Sequence, residues 1–206
     1  MLIAVVANEE TKRDWLKQGV QSGTNVVWLD NPAPVANASI YIDLLFDSVE
    51  NRVQEWQHTS SPILINNVVK CATSLPGNFI RFNGWPVFLQ STIMEAAAVN
   101  THLQETATLA LAAFNKQVDW VADINGFIAA RVVAMIINEA YYTLEEGISG
   151  KAEIDTAMKL GTNYPYGPFE WSQKIGLKNI CALLESLAKD QPRYAPSSLL
   201  KKEALL

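Results

Sequence analysis

The chain has 206 residues, a formal net charge of −5 and 49% hydrophobic residues, a composition typical of a folded globular protein. The acidic balance and the lack of basic clusters argue against nucleic-acid binding, which requires concentrated Lys and Arg. The two cysteines, Cys71 and Cys181, have no metal-ligand spacing, and no apolar run reaches the roughly 20 residues needed to span a bilayer. We therefore expect a cytoplasmic protein with no metal site and no membrane or nucleic-acid partner.

The N-terminal half begins with a β-α-β pattern. Residues 2–7, LIAVVA, form a near-continuous apolar run, as expected for a parallel strand that is covered on both faces. A helix is predicted over residues 8–19, with Asn8 as its cap, and a second strand over residues 25–30 ends at Asp30. This opening predicts a Rossmann-like sheet.

The elements that follow continue the alternation after a loop rich in Pro and Asn, NPAPVAN. Their predicted order is a strand at 38–47, a helix at 48–57, a strand at 62–69, a helix from residue 100 to 114 and a last strand at 118–123. The sequence therefore predicts an α/β fold in which a shortened Rossmann-like parallel sheet domain, residues 1–123, precedes an all-α C-terminal domain, residues 124–206.

Residues 126–171 have helical signals throughout. From Ile128 and Val132 onward, apolar residues recur at three- and four-residue steps on more than one face, which predicts a helix buried between partners. Gly147 is expected to end this helix, and a second, amphipathic helix is predicted to stop at Gly161. A Pro-Gly-Pro break then leads into a third helix.

Several short motifs occur in this half in a fixed order: GF at 126–127, NEA at 138–140, EG at 146–147, IDTAMKLG at 154–161, PYGPFE at 165–170 and GL at 176–177. Together they closely resemble the C-terminal domain of the 3-hydroxyacyl-CoA dehydrogenases, and the resemblance continues through the tail QPRYAPSSLLKKEALL. It implies a helical domain that packs on a Rossmann domain and forms a homodimer, with an acyl-CoA in the cleft between domains.

The resemblance also implies NAD, which the family holds at a G-x-G-x-x-G turn after the first strand and at an acidic residue after the second. Asp30 matches the acidic residue that binds the adenosine ribose. The three glycine positions, however, hold Ala7, Glu9 and Lys12. Side chains at these positions obstruct the close approach of a pyrophosphate, and the carboxylate of Glu9 repels it, which the charge of Lys12 offsets only in part. Normal NAD binding is therefore not expected here.

The family's catalytic residues are a His that acts as general base and a Glu that orients it. In NGWPVFLQSTIME, residues 83–95, Glu95 matches the Glu and Asn83 stands in the place of the His. An amide cannot take up and release a proton near neutral pH. For substrate binding, the resemblance implies Asn67 and Arg131, although the neighbouring family Asn is Ala130 here.

Neither of the two histidines, His58 and His102, replaces the missing base by its spacing. We therefore predict a divergent 3-hydroxyacyl-CoA dehydrogenase relative that binds acyl-CoA, or modulates a partner, with weak or lost hydride transfer. One alternative is an active NAD-dependent 3-hydroxyacyl-CoA dehydrogenase of fatty-acid metabolism, with Glu95 as base and Asn83 polarising the carbonyl. Another is a structural dimerisation module, which predicts no acyl-CoA binding and a filled cleft. For Glu95 itself, the alternative to a catalytic role is a buried carboxylate paired with a neighbour such as Arg131.

Overall fold

A computed structural model describes residues 1–48 and 51–206. The chain divides into two compact units, Met1–Phe127 and Ile128–Leu206. The predicted α/β class, with a Rossmann-like unit followed by a helical one, is confirmed. Within the described ranges, no helix has the length and apolarity required to cross a membrane.

The first unit contains one seven-stranded sheet in the order β2-β1-β3-β4-β5-β6-β7. Its strands are β1 (Leu2–Val6), β2 (Asn25–Leu29), β3 (Ile40–Asp43), β4 (Ile63–Asn66), β5 (Phe79–Phe82), β6 (Ile93–Ala98) and β7 (Gln117–Trp120). The first five strands are mutually parallel, whereas β6 is antiparallel to β5 and parallel to β7. The sheet is therefore mixed, with two reversed strands at one side.

Among its described residues, this unit has the α-helices α1 (Glu9–Trp15), α2 (Arg52–Glu55), α3 (Pro86–Leu89) and α4 (Gln104–Ala112). The predicted helix at 48–57 is reduced to α2, and part of it lies outside the described residues. Both faces of the sheet are covered. Trp15, Leu89 and Leu111 pack on one face, and Trp56 packs on the other. This double cover explains why the central strands are apolar on both sides.

The reversal of β6 determines which residues meet at the edge where β1–β5 end, here called the carboxyl edge. Because β6 runs the other way, its first residues lie beside the end of β5, and its last residues lie at the opposite edge. The backbone N–H of Asn83 donates to the carbonyl of Glu95 at 2.9 Å and continues this pairing past β5. A residue just after β5 and a residue early in β6 therefore become neighbours.

The second unit consists of α5 (Ile128–Glu145), α6 (Lys151–Thr162), α7 (Pro168–Ile175), α8 (Leu177–Ala188) and α9 (Ser198–Ala204). Gly147 has a φ of 68° after α5, in agreement with the prediction. The prediction for α6 was wrong. Gly161 lies inside this helix, and Asn163, with a φ of 56°, provides the left-handed residue that ends it.

The division between the units falls after Phe127, four residues later than the predicted boundary at residue 123. Phe127 is only 1% exposed, and the N–H of Gly126 donates to the carbonyl of Val68 at 2.8 Å. The linker is therefore held by the first unit, a contact that local sequence patterns do not reveal.

Candidate functional site

Asn83 and Glu95, the two predicted catalytic positions, lie side by side at the carboxyl edge. Nδ2 of Asn83 donates to Oε2 of Glu95 at 2.9 Å. Asn83 is 2% exposed, whereas Glu95 is half-buried. The amide is thus oriented by the carboxylate, and its oxygen Oδ1 is buried with no hydrogen-bond partner among the described residues.

Asn67, a predicted substrate-binding residue, follows β4 at the same edge and is 4% exposed. Its carbonyl accepts a hydrogen bond from Nε of Arg81 at 2.9 Å, and the carbonyl of Val68 accepts one from Nη2 at 3.2 Å. Side chains alternate along a strand, so Arg81 and Asn83 point to the same face of the sheet. The loop after β4 is therefore fixed by a side chain that neighbours the Asn83–Glu95 pair.

Arg81 is fully buried and also holds the linker. Its guanidinium forms an ion pair with Asp123 and stacks on the ring of Phe127 at 4.6 Å. Burial lowers the pKa of Arg81, and the hydrogen bond to Asp123 opposes this change. Asp123 in turn accepts from the N–H of Ala72 at 2.8 Å. One cation thus joins the loop after β4 to the linker that ends this unit.

The turn between β1 and α1 is occupied by a capping box. The N–H of Thr11 donates to Oδ1 of Asn8 at 2.8 Å, and the N–H of Asn8 donates to Oγ1 of Thr11 at 3.1 Å. The N–H of Ala7 donates to the carbonyl of Leu29. Three amides near the start of α1 are therefore already bonded, and the exposed carboxylates of Glu9 and Glu10 lie beside them.

These residues do not fit the pyrophosphate of a dinucleotide. A phosphate at a helix N-terminus needs unpaired amides and an approach free of side chains and negative charge. Lys12, the nearest cation in this stretch, has its Nζ 4.9 Å from the centre of the Trp28 ring. Asp30 is exposed at the end of β2, four strand spacings from β5, or roughly 19 Å. Asp30 therefore lies far from the Asn83–Glu95 pair.

Arg131, the other predicted substrate-binding residue, belongs to the helical unit. It lies on α5, where its Nη1 donates to the hydroxyl of Tyr194 at 3.4 Å.

The histidines do not complete the Asn83–Glu95 pair. His102 follows the end of β6, at the opposite edge of the sheet, and Nδ1 of His58 lies 2.9 Å from the carbonyl of Glu55.

The end of β3 carries a second buried polar group. Oδ2 of Asp43 accepts from Nε of Arg52 and from Nε1 of Trp56, both at 2.8 Å, and Oδ1 accepts from the N–H of Leu45 at 3.0 Å. Asp43 is fully buried and Arg52 is 3% exposed. Burial raises the pKa of Asp43, and the bonds to Arg52 oppose that rise. We interpret this group as structural, since its carboxylate is satisfied by three donors.

Comparison with known proteins identifies the second unit. Residues 126–205 match the family model described as 3-hydroxyacyl-CoA dehydrogenase, C-terminal domain. The helical unit is therefore similar to the C-terminal domain of the 3-hydroxyacyl-CoA dehydrogenases. The predicted resemblance is therefore confirmed over the helical half, where its motifs are most specific.

Two curated relatives of this dehydrogenase family match longer stretches. The 3-hydroxyadipyl-CoA dehydrogenase of Escherichia coli K12 is 46% identical over 114 residues, which cover 54% of this chain and 24% of that protein. The 3-hydroxybutyryl-CoA dehydrogenase of Bradyrhizobium diazoefficiens is 34% identical over 136 residues, which cover 64% of this chain and 46% of that protein. The matched region thus spans less than half of either relative.

A solved structure extends the comparison to almost the whole chain. The (S)-3-hydroxybutyryl-CoA dehydrogenase of Ralstonia eutropha has a TM-score of 0.73 and 19% identity, with 98% of this chain and 92% of that chain covered. At this identity the comparison shows that the fold is shared. The sheet unit is included in this shared fold.

The family motifs of the helical domain hold its helices together through direct contacts. Oδ1 of Asp155, in IDTAMKLG, accepts from the N–H of Phe169 at 2.8 Å and so caps α7. Glu170 accepts from the N–H of Gly167 at 2.9 Å and forms an ion pair with Lys159. A Cβ at Gly167 would lie 2.3 Å from Oδ1 of Asp155. The two motifs therefore occur together because they contact each other.

Asn138 of the NEA motif holds the C-terminal tail. Its Nδ2 donates to the carbonyl of Ala195 at 2.9 Å, and its Oδ1 accepts from the N–H of Ser197 at 2.9 Å. Asn138 is 2% exposed, so both bonds are shielded from water. The amide matches one carbonyl and one N–H of the tail, which explains why this motif and the tail both follow the family pattern.

Sequence reasoning did not find Arg81, and it identified Asn8 as the cap of α1, which is confirmed, but not the reciprocal bond from Thr11 that completes the box. Arg81 could have been noticed as a charged residue within the otherwise apolar strand FIRF. The capping box has a local signature as well, since a side chain that can accept from a helix amide stands three residues before a hydroxyl residue. Its meaning for the turn follows only once α1 is known to begin at Glu9.

Proposed function

We propose that this protein is a divergent 3-hydroxyacyl-CoA dehydrogenase relative that binds an acyl-CoA thioester and has weak or no hydride-transfer activity. The observation that carries the proposal is the Asn83–Glu95 hydrogen bond of 2.9 Å. The family's general base would occupy the position of Asn83, and an amide has no pKa in the range in which a base exchanges protons. The orienting carboxylate is kept, but the group it orients cannot accept a proton.

The turn after β1 supports the loss of NAD-dependent chemistry. The Asn8–Thr11 box occupies two of the amides near the start of α1, and Glu9 adds a negative charge. NAD is thus suggested by the family and opposed by these residues. A dehydrogenase without a bound nicotinamide has no hydride acceptor, so the two features act in the same direction.

The choice of ligand rests on the relatives. The names of the curated relatives specify CoA thioesters of 3-hydroxy acids, 3-hydroxyadipyl-CoA and 3-hydroxybutyryl-CoA. This chain keeps a polar pair at the carboxyl edge, where ligands of open α/β sheets bind. We therefore propose that the acyl part of such a thioester binds near Asn83 and Glu95.

The test is a titration of the purified protein with NADH, followed by Trp fluorescence, and a separate calorimetric titration with acetoacetyl-CoA and 3-hydroxybutyryl-CoA. We expect binding of at least one thioester, no saturable NADH binding at micromolar concentrations, and no loss of NADH when acetoacetyl-CoA is added. Micromolar NADH binding with turnover that Glu95→Gln abolishes would instead identify an active enzyme with Glu95 as base. Binding of neither ligand would leave only a structural module.

We further propose a homodimer that forms through the helical domain. Val133, Ala134 and Ile137 of α5 are buried within the domain, but Ile128 and Val132 are 57% and 52% exposed. A groove of about 400 Å³ between α5 and α6 has apolar walls that include Ile136, Ile154 and Met158. Apolar surface of this kind favours a protein partner.

The dimer is tested by sedimentation of the wild-type chain and of Val132→Glu. We expect the wild type to sediment as a dimer and the variant as a monomer, because a charge would be buried in the interface. Lys178→Glu, on the exposed surface of α8, changes charge outside this face and should remain dimeric. A monomeric wild type would refute the proposal.

A further inference from the structure

Asn83 presents a fixed hydrogen-bond acceptor. Its Nδ2 is held by Oε2 of Glu95 and its backbone N–H by the carbonyl of the same residue, both at 2.9 Å. Rotation of the amide would exchange a donor for an acceptor and place two oxygens against each other at Glu95. Oδ1 is consequently directed away from Glu95.

This oxygen has no hydrogen-bond partner in the described part of the chain, although the side chain is only 2% exposed. Buried acceptors are normally paired, and an unpaired one at a candidate site can be satisfied by a donor on a bound ligand. An alcohol can supply that donor. A ketone cannot, because its oxygen only accepts.

We propose that Asn83 makes this site selective for the alcohol form of its ligand, so that a 3-hydroxyacyl-CoA binds at least tenfold more tightly than the matching 3-oxoacyl-CoA. The 3-hydroxyl donates to Oδ1 of Asn83, whereas the oxygen of the 3-oxo form faces a second acceptor and leaves Oδ1 unpaired. Sites that hydrogen-bond a ligand hydroxyl discriminate strongly against analogues that lack it. The inference rests on the acyl-CoA binding proposed above.

Selectivity for the alcohol agrees with the loss of the base. A His at this position would take the hydroxyl proton, and the reaction would proceed to the ketone. An amide oxygen accepts the same hydrogen bond but leaves the proton on the ligand. The site would therefore retain the hydroxyl compound unchanged, as a binding protein does.

The test compares three thioesters of equal chain length by isothermal titration calorimetry: 3-hydroxybutyryl-CoA, acetoacetyl-CoA and butyryl-CoA. We expect 3-hydroxybutyryl-CoA to bind at least tenfold more tightly than the other two. Equal affinities would overturn the selectivity but leave acyl-CoA binding in place. Binding of none of the three would overturn the proposed function itself, so the two failures are distinguishable.

Two variants locate the cause of the preference. Asn83→Leu keeps the length of the side chain and removes the acceptor, so the affinity ratio should fall to about one. Asn83→Asp keeps an acceptor oxygen at this position and should retain the preference. Retention of the full preference by Asn83→Leu would overturn the assignment to this residue. If Asn83→Asp retains the preference, substitution at position 83 does not by itself abolish it. The loss of the preference in Asn83→Leu is then due to the missing oxygen.

Asn78→Ala is the matched control for a lost amide. Asn78 immediately precedes β5, at the other end of the strand that Asn83 follows, and its Nδ2 donates to the carbonyl of Ser61 at 3.0 Å. This variant also loses a structural hydrogen bond of an asparagine side chain. The preference for the hydroxyl compound should be unchanged, and its loss would show that the preference responds to general loosening of the unit.

Discussion

Nδ2 of Asn83 lies 2.9 Å from Oε2 of Glu95, in a contact that an imidazole N–H could also make. The pair therefore keeps the geometry of an oriented base without the base. We predict that the imidazole introduced by Asn83→His has a pKa at least about one unit higher than in Asn83→His/Glu95→Gln, because a nearby carboxylate favours the charged form.

This difference can be measured by NMR titration. The wild type has only two histidines, His58 and His102, so the new ring signal is identified by comparison with its spectrum. The double variant is the control, since it keeps the same burial and removes only the charge. Equal pKa values in the two variants would show that Glu95 does not act on position 83.

The buried pair of Asp43 and Arg52 should be essential for the stability of the sheet unit. Asp43→Asn leaves a guanidinium that is 3% exposed without its buried counter-charge, and removal of one partner from a buried pair typically costs about 3–5 kcal/mol. Glu55→Gln removes the other carboxylate of the same arginine. The side chain of Glu55 is 41% exposed, so its loss should cost less than about 1 kcal/mol.

Urea unfolding of the two variants measures both values. Because both substitutions replace a carboxylate with an amide and both affect Arg52, the comparison isolates burial. Similar destabilisation by Asp43→Asn and Glu55→Gln would contradict the assignment of Asp43 as the principal partner.

The features that could be predicted from the sequence are those determined by residues close together along the chain. Alternating elements, the glycine at the end of α5 and the dehydrogenase motifs follow from residues close in sequence. The juxtaposition of Asn83 with Glu95 also followed, but from the family rather than from periodicity. Arg81 was not predictable in the same way, because its partners Asn67, Val68 and Asp123 meet only when the sheet is assembled.

The end of α6 shows how local signals can mislead. Gly161 was predicted to stop the helix, but a glycine costs a helix only about 1 kcal/mol relative to alanine and does not by itself end it. The helix continues to Thr162, where Asn163 adopts positive φ. The predicted boundary at residue 123 rests on local sequence alone, whereas Gly126 and Phe127 contact the sheet unit through residues distant in sequence.

Two glycines of the helical domain, Gly167 and Gly161, should respond in opposite ways to substitution by alanine. Gly167→Ala should destabilise the domain by about 1–3 kcal/mol, because the new Cβ would lie 2.3 Å from a carboxylate oxygen of Asp155 and displace it from the N–H of Phe169. Gly161→Ala adds the same methyl group inside α6, where no atom outside the adjacent residues and the helix's own backbone lies within 4 Å of the added Cβ. It should stabilise the domain by about 0.5–1 kcal/mol.

Thermal or urea unfolding followed by circular dichroism distinguishes the signs directly. The control is internal, since the two variants have identical chemistry and belong to the same domain. Destabilisation by Gly161→Ala, or tolerance of Gly167→Ala, would contradict the packing described for α6 and α7.

Lys116 predicts an unusual dependence of stability on pH. The side chain is 2% exposed, and its Nζ donates to the carbonyls of Leu89 and Ser91 at 2.7 and 2.9 Å. Burial lowers the pKa of Lys116 to about 8. In the unfolded chain a lysine has a pKa of about 10.4.

Below pH 8 both states carry the proton, and the free energy of unfolding contains the full cost of burying the charge. Between about pH 8 and pH 10.4 the unfolded chain binds a proton that the folded chain does not, so the free energy of unfolding rises with pH. At about 1.4 kcal/mol per pKa unit, the rise from this residue approaches about 3 kcal/mol.

The test is urea unfolding of the wild type and of Lys116→Met at several values between pH 7 and pH 10.5. The free energy of unfolding of the wild type minus that of Lys116→Met should change by roughly this amount over this pH range. Lys17→Met, which replaces an exposed lysine of the same unit, should retain the pH dependence of the wild type. If Lys116→Met has the same pH dependence as the wild type, Lys116 does not release its proton in this range.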